Sequence, residues 1–139
     1  MHTFRLILLK HEAETWERLT GFMAEENNLL KLHLAEVVGL SDDKQLVIEM
    51  ETYHQRLLTL DAMLEQLRID NTRLRKLLVQ ELFVDGPLEY TVYQQLRTVR
   101  KDVRRVEQLF SQLKFEFNQF LTERYGDGGG SDQTGTADD

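Results

Sequence analysis

The most regular hydrophobic pattern in the chain runs from Leu46 to Leu78. Apolar or aromatic side chains recur there at alternating steps of four and three residues, and Asn71 is the one exception among ten successive positions. This spacing is a heptad repeat, which is typical of a long helix packed against other helices. The ten positions are Leu46, Met50, Tyr53, Leu57, Leu60, Leu64, Leu67, Asn71, Leu74 and Leu78.

Two further heptad patterns flank this one. The pattern after Pro87 is equally pure and comprises Val92, Leu96, Val99, Val103, Val106, Phe110, Leu113, Phe117 and Phe120. The pattern before Gly39 contains three polar residues and comprises Leu9, Glu12, Trp16, Leu19, Met23, Glu26, Leu30, His33 and Val37. The patterns predict three helices, at about 4–38, 42–83 and 87–125.

Short polar or glycine-containing segments separate the predicted helices. Gly39 suits the left-handed end of the first helix, Ser41 or Asp42 suits the N-cap of the second, and Pro87 suits the first turn of the third. Because both connections are short, neighbouring helices must be antiparallel. We therefore predict an all-α fold for residues 1–125, an up-down-up antiparallel three-helix bundle with coiled-coil-like packing. No repeat longer than the heptad is evident.

Composition adds a boundary and excludes some chemistry. Residues 126–139 are rich in Gly and Asp and contain no large apolar side chain, which predicts a disordered tail. The sequence has no cysteine, so it offers no disulfide or thiol nucleophile. The apolar run Phe4–Leu9 is too short for a membrane span and no cleavage site follows it, so we expect a cytoplasmic protein. The net charge of −7 disfavours general nucleic-acid binding.

Two inward positions of the first helix are candidate metal ligands. Glu26 and His33 lie seven residues apart on one predicted face, as do ligands in helical-bundle metal sites. A site needs three or four ligands, which favours the alternative that both are polar core residues with protein partners. Glu51 and His54 have the spacing of a di-iron motif but fall outside the seam. With no phosphate-binding loop or catalytic grouping evident, we expect no cofactor and no enzymatic activity.

A group of cations on the second and third helices forms a predicted basic belt. Acidic residues on the same helices would neutralise it as a solvated face, or it would bind an acidic protein, RNA or a membrane surface. Nucleic acid is the least favoured partner, because no exposed aromatic residues alternate with the cations. The belt comprises Arg68, Arg73, Arg75, Lys76, Arg97, Arg100, Lys101, Arg104 and Arg105.

Leu60, Leu67 and Leu74, with Asn71 at an a position, resemble the zipper of basic leucine-zipper proteins. The resemblance covers the second helix alone. The place of the basic DNA-binding region holds Ser41 and two aspartates, so DNA binding by that route is excluded. The asparagine predicts a different property, because an amide in a seam disfavours shifted registers.

The second helix also predicts an interface outside the bundle. Six apolar residues fall at b or f positions, which point away from the main seam: Ile48, Leu58, Ala62, Ile69, Val79 and Phe83. We therefore expect a non-enzymatic interaction or adaptor module that binds a protein partner, or a second copy, through this helix. The alternatives are a ligand or metal carrier that uses Glu26 and His33, and a nucleic-acid-associated protein that uses the basic belt.

Overall fold

Three long helices make up most of the protein. The computed structural model describes residues 2–84 and 86–126. Helix α1 spans His2–Leu40, α2 spans Lys44–Glu81, and α3 spans Tyr90–Leu121, with a π-helical turn at Thr122–Gly126. The predicted disordered tail falls outside these ranges, apart from Gly126. Within them, no helix combines the length and the apolar character that crossing a bilayer requires.

Contacts between the helices define the topology. Near the start of α1, Ala13 meets Asn71 of α2, and near the end of α3, Glu116 meets Arg56 of α2. Both contacts require antiparallel neighbours. The predicted all-α three-helix bundle is therefore confirmed, with α2 approached most closely by both other helices.

The seams of α2 and α3 are the predicted ones. Nine of the ten α2 positions are buried. The tenth, Tyr53, is half-buried, and its ring centroid lies 5.4 Å from that of Phe117 and 5.3 Å from that of Phe120. In α3 the seam residues from Val92 to Phe117 are buried, and Phe120 packs partly buried against them. These side chains form one continuous core.

Helix α1 presents a different stripe from the predicted one. Between the apolar positions that the predicted and observed stripes share, the core positions of α1 are Ala13, Thr20, Asn27 and Leu34. The prediction had placed Glu12, Leu19, Glu26 and His33 there, so the stripe is rotated by one residue. Burying a small or hydrogen-bonded polar group requires less free energy than burying a carboxylate. Thr20, for example, donates its hydroxyl to the Trp16 carbonyl at 2.7 Å.

The start of α2 has a side-chain cap. Asp43 is the N-cap, and its Oδ1 accepts the backbone N–H groups of Gln45 and Leu46 at 3.0 and 3.4 Å. The prediction had named Ser41 or Asp42. Ser41 Oγ accepts the N–H of Asp43 instead, at 3.0 Å, and so orients the capping residue.

Helix α3 begins later than predicted. Its first residue is Tyr90, three residues beyond Pro87. Gly86 has a φ of 106°, so the chain turns just before the proline. The carboxylate of Glu81, itself buried, then accepts the N–H of Glu89 at 3.3 Å. This bond satisfies a donor that the start of a helix leaves free, and it places the start after Glu89.

The α1–α2 contact has an internal two-fold relation. Asn27 of α1 donates to the Leu57 carbonyl at 3.0 Å, and Asn71 of α2 donates to the Ala13 carbonyl at 2.8 Å. Asn27 and Asn71 are 44 residues apart in the sequence, as are Ala13 and Leu57. Among the described residues, the side-chain oxygen of each asparagine lacks a hydrogen-bond partner. The two asparagines are therefore equivalent in position, and each donates to the equivalent backbone carbonyl of the other helix.

The ion pairs between these helices obey the same relation. Lys31 binds Asp61, and Arg75 binds Glu17 at 2.8 Å, again with equivalent residues 44 apart. A groove of about 390 Å³ on the side away from α3 is lined by five such pairs: Glu17 and Asp61, Thr20 and Leu64, Gly21 and Glu65, Ala24 and Arg68, Asn28 and Thr72. The relation links contacts across one helix pair, and its axis lies at the level of Thr20 and Leu64. The expectation of no sequence repeat beyond the heptad stays a prediction.

Candidate interaction surfaces

The outer face of α2 exposes a row of apolar side chains. All six of the predicted residues are exposed, with Ile48 at 63%, Ile69 at 46% and Phe83 at 85% of full exposure. We call Ile48, Leu58, Ala62, Ile69, Val79 and Phe83 the α2 outer row. Glu51, Gln55, Glu65 and Lys76 are interleaved on the same face and are also exposed. The predicted exposure of these six side chains is therefore confirmed, and their role in binding a partner stays a prediction.

Helix α1 exposes apolar residues that the sequence reading missed. Phe22 is 53% exposed, Leu29 48% and Leu32 55%. Phe22 and Leu29 lie at the surface because the stripe is rotated toward Ala13 and Asn27. A heptad assignment one residue later in α1 would have identified them.

Three cations of the basic belt are held in ion pairs. Arg68 pairs with Glu65 one turn earlier on α2, at 2.6 Å. Arg75 pairs with Glu17 at 2.8 Å, and Arg100 pairs with Glu12 through two hydrogen bonds. Two of the three partners thus come from α1, whereas the sequence reading expected acidic neighbours on the same helices.

The Arg100–Glu12 pair is built into the bundle. The hydrogen bonds that Arg100 donates to Glu12 raise the pKa of the Arg100 guanidinium, and they outweigh the opposite effect of partial burial. The guanidinium carbon also lies 5.9 Å from the centre of the Trp16 ring. Since α1 and α3 approach each other less closely than either approaches α2, this pair links the two helices across the bundle.

The other six belt cations have no ion pair within 4 Å in the described part of the chain. They are Arg73, Lys76, Arg97, Lys101, Arg104 and Arg105. Arg97 lies 5.8 Å from the centre of the Tyr93 ring. On α3, the cations Arg97, Lys101 and Arg104 line an open groove of about 480 Å³ with Gln94 and Thr98. This part of the belt is available to an anionic group.

Glu26 and His33 do not converge. The carboxylate of Glu26 accepts from Lys114 Nζ at 2.6 Å, so its partner is a cation of α3. His33 is exposed, which contradicts the expected inward orientation. Both changes follow from the rotation of the α1 stripe. Within residues 2–84 and 86–126, no three His, Cys, Asp or Glu side chains are grouped closely enough to hold a metal ion.

Tyr53 lies beside a paired carboxylate at the α2–α3 contact. Arg56 donates to Glu116 at 2.8 Å, and this hydrogen bond, with a second from Gln112, lowers the pKa of Glu116. Burial raises the pKa of the Tyr53 hydroxyl above its ordinary value, and the charge of Glu116 raises it further. A neutral tyrosine at neutral pH is suited to packing and is not a nucleophile.

One mainly apolar groove of about 240 Å³ opens between α2 and α3. Leu60, Met63, Leu109 and Leu113 line it, with Gln55, Arg56 and Thr59 at its edge. Comparison of the chain with protein-family models, with curated proteins and with solved structures found no match.

Proposed function

We propose that the protein is a non-enzymatic helical interaction module whose α2 outer row binds a helix of a partner. The exposure of that row is the observation that carries the proposal. Large apolar side chains at the surface are common singly, but a row along one helix is typical of an interaction site. We further propose that the module acts in the cytoplasm.

The shape of the row favours a helical partner. Its members within α2 recur at helical spacing from Ile48 to Val79, a length of about 45 Å at 1.5 Å per residue, and Phe83 follows in the turn after the helix. A second helix laid along α2 contacts such a row with its own residues at intervals of three and four. The interleaved charged residues then form a polar rim, as in other protein interfaces.

Capture from the native cell with the full chain as bait tests the proposal. Ile69→Glu places a charge in the middle of the row, and we expect it to abolish partner binding. Phe115→Glu on α3 is the matched control, because Phe115 is also exposed, at 67%, and lies on a different helix. If the Ile69→Glu protein retains every partner of the wild type, the row is not the binding surface.

A second candidate function rests on the unpaired cations of α3. We propose that Arg97, Lys101 and Arg104 bind an acidic protein segment. Polyglutamate binding should weaken with salt and should be lost in the variant with all three residues changed to Gln. The control changes Arg5, Arg18 and Lys44 to Gln, which alters net charge equally outside the belt. Equal losses in both variants would refute a specific site, and a preference for RNA would support the nucleic-acid alternative.

A further inference from the structure

The α2 outer row and the polar residues between its members form one regular stripe. This face repeats at alternating steps of three and four residues: Ile48, Glu51, Gln55, Leu58, Ala62, Glu65, Ile69, Thr72, Lys76, Val79 and Phe83. These residues are exposed except for Thr72, which is half-buried. The stripe has heptad spacing and lies opposite the buried seam, so a second helix can pack along it.

An antiparallel copy of the same stripe matches it in most layers. With Ile48 facing Val79 of the copy, Leu58 faces Ile69. The same register places Glu51 opposite Lys76 and Gln55 opposite Thr72. In these layers large apolar residues meet each other, and opposite charges meet each other. In the central layer Ala62 faces Glu65, and at each end Phe83 faces Lys44. A parallel pairing would instead place Glu51 and Glu65 opposite their own copies, which is unfavourable.

Shifted antiparallel registers fit less well. A shift of one heptad places Ile69 opposite Glu65 and Leu58 opposite Lys76, so two large apolar residues that face each other in the proposed register face charges instead. A shift of two heptads from the proposed register pairs Lys76 with Glu65. That carboxylate is already held by Arg68 through two hydrogen bonds of 3.0 and 2.6 Å. Lys76 has no ion pair in the described part of the chain. Glu51 contacts only Gln55 and His54 of its own helix there.

We propose that a second copy of this chain is the partner of α2, bound antiparallel along the outer row with Ile48 opposite Val79. This inference rests on the proposed function and names the partner. The two-fold axis of the dimer falls between Met63 and Leu64. The internal axis of the α1–α2 contact lies at the same level, where Thr20 meets Leu64. Both axes then cross α2 at the same height, so the α1–α2 pair of one copy lies level with the α1–α2 pair of the other.

Charge reversal tests both the partner and the register. The full chain is measured by sedimentation equilibrium at micromolar concentration, where we expect a dimer. Glu51→Lys places two lysines together at each end of the interface, and Lys76→Glu places two glutamates together. Each single variant should raise the dissociation constant about tenfold, since two ion pairs are lost per dimer. The double variant Glu51→Lys/Lys76→Glu restores opposite charges and should return to within about threefold of the wild type.

A second double variant checks the alternative register, in which Lys76 faces Glu65. Glu65→Lys/Lys76→Glu should stay as weak as Lys76→Glu alone, and recovery in this variant would overturn the proposed register. All three positions are exposed, and circular dichroism verifies that each variant is folded. A monomeric wild type would overturn the dimer and leave the binding of a foreign helix to the capture experiment with Ile69→Glu. A dimer that survives Ile69→Glu would overturn the outer row as the dimer interface, and the capture experiment with Ile69→Glu would then decide the proposed function separately.

Discussion

Replacing Asn71 by leucine should stabilise the bundle. The change removes the hydrogen bond to the Ala13 carbonyl, which contributes about 1 kcal/mol. It also removes a side-chain oxygen that is buried without a partner among the described residues, worth about 1–3 kcal/mol. Burial of the leucine side chain adds about 1.5–3 kcal/mol. Allowing for imperfect packing, we expect a net gain of about 2 kcal/mol and a rise in Tm of roughly 6–8 °C.

The equivalent residue on α1 provides the comparison. Asn27 donates both to the Leu57 carbonyl at 3.0 Å and to Asp61 Oδ1 at 2.6 Å. Asn27→Leu therefore also loses a bond to a charged group, worth about 1.5–3 kcal/mol, and we expect little net gain. Asn71→Asp is the opposite control. It places a carboxylate at a site 2% exposed, and we expect it to destabilise the fold.

Thermal melting followed by circular dichroism measures these changes, and light scattering measures assembly. Besides the higher Tm, the Asn71→Leu protein should show a broader distribution of assembly states. An all-apolar seam tolerates shifted registers that would leave an asparagine amide unpaired. A variant that melts lower than the wild type and remains a single species would refute this explanation of Asn71.

Two further predictions concern titration and the α1 surface. Because the folded-state pKa of Tyr53 lies above its ordinary value of 10.0, its contribution to stability is present below pH 10 and is lost above it. Melting across that range should therefore be less pH-dependent in Tyr53→Phe than in the wild type, and equal slopes would contradict the argument. Glu26→Gln should lower stability by up to about 1 kcal/mol through loss of the Lys114 pair, while His33→Ala should leave Tm almost unchanged. A larger effect of His33→Ala than of Glu26→Gln would contradict the placement of these residues.

The seams of α2 and α3 could be read from the sequence because their residues leave little choice of phase. In α3, valine and phenylalanine alternate with charged residues, so rotation of the helix would bury arginine. The phase of α2 is determined in the same way by its leucines. The antiparallel order then follows from the two short connections.

The charged pairs between helices could not be read in this way. A sequence shows which residues share a helix face, but the partner of Arg100 depends on which helix lies beside it and at what height. Glu12 meets Arg100 because it flanks the α1 stripe instead of lying in it. The same holds for Glu26 and Lys114. Because the α1 stripe is rotated by one residue, two carboxylates that the predicted seam placed in the core instead form ion pairs with α3.

The internal two-fold relation explains why the α1 stripe has the phase it has. With the predicted phase, Asn27 would lie outside the buried stripe, and Asn71 would face α1 without an equivalent asparagine on that helix. With the observed phase, each asparagine donates to a backbone carbonyl of the other helix, and Lys31 and Arg75 each form an ion pair with a carboxylate across the contact. Hydrophobicity counts did not distinguish the two phases, because both contain small or polar residues. The polar contacts distinguish them, since the observed phase is the one that pairs the charged groups and the donor atoms of both asparagines.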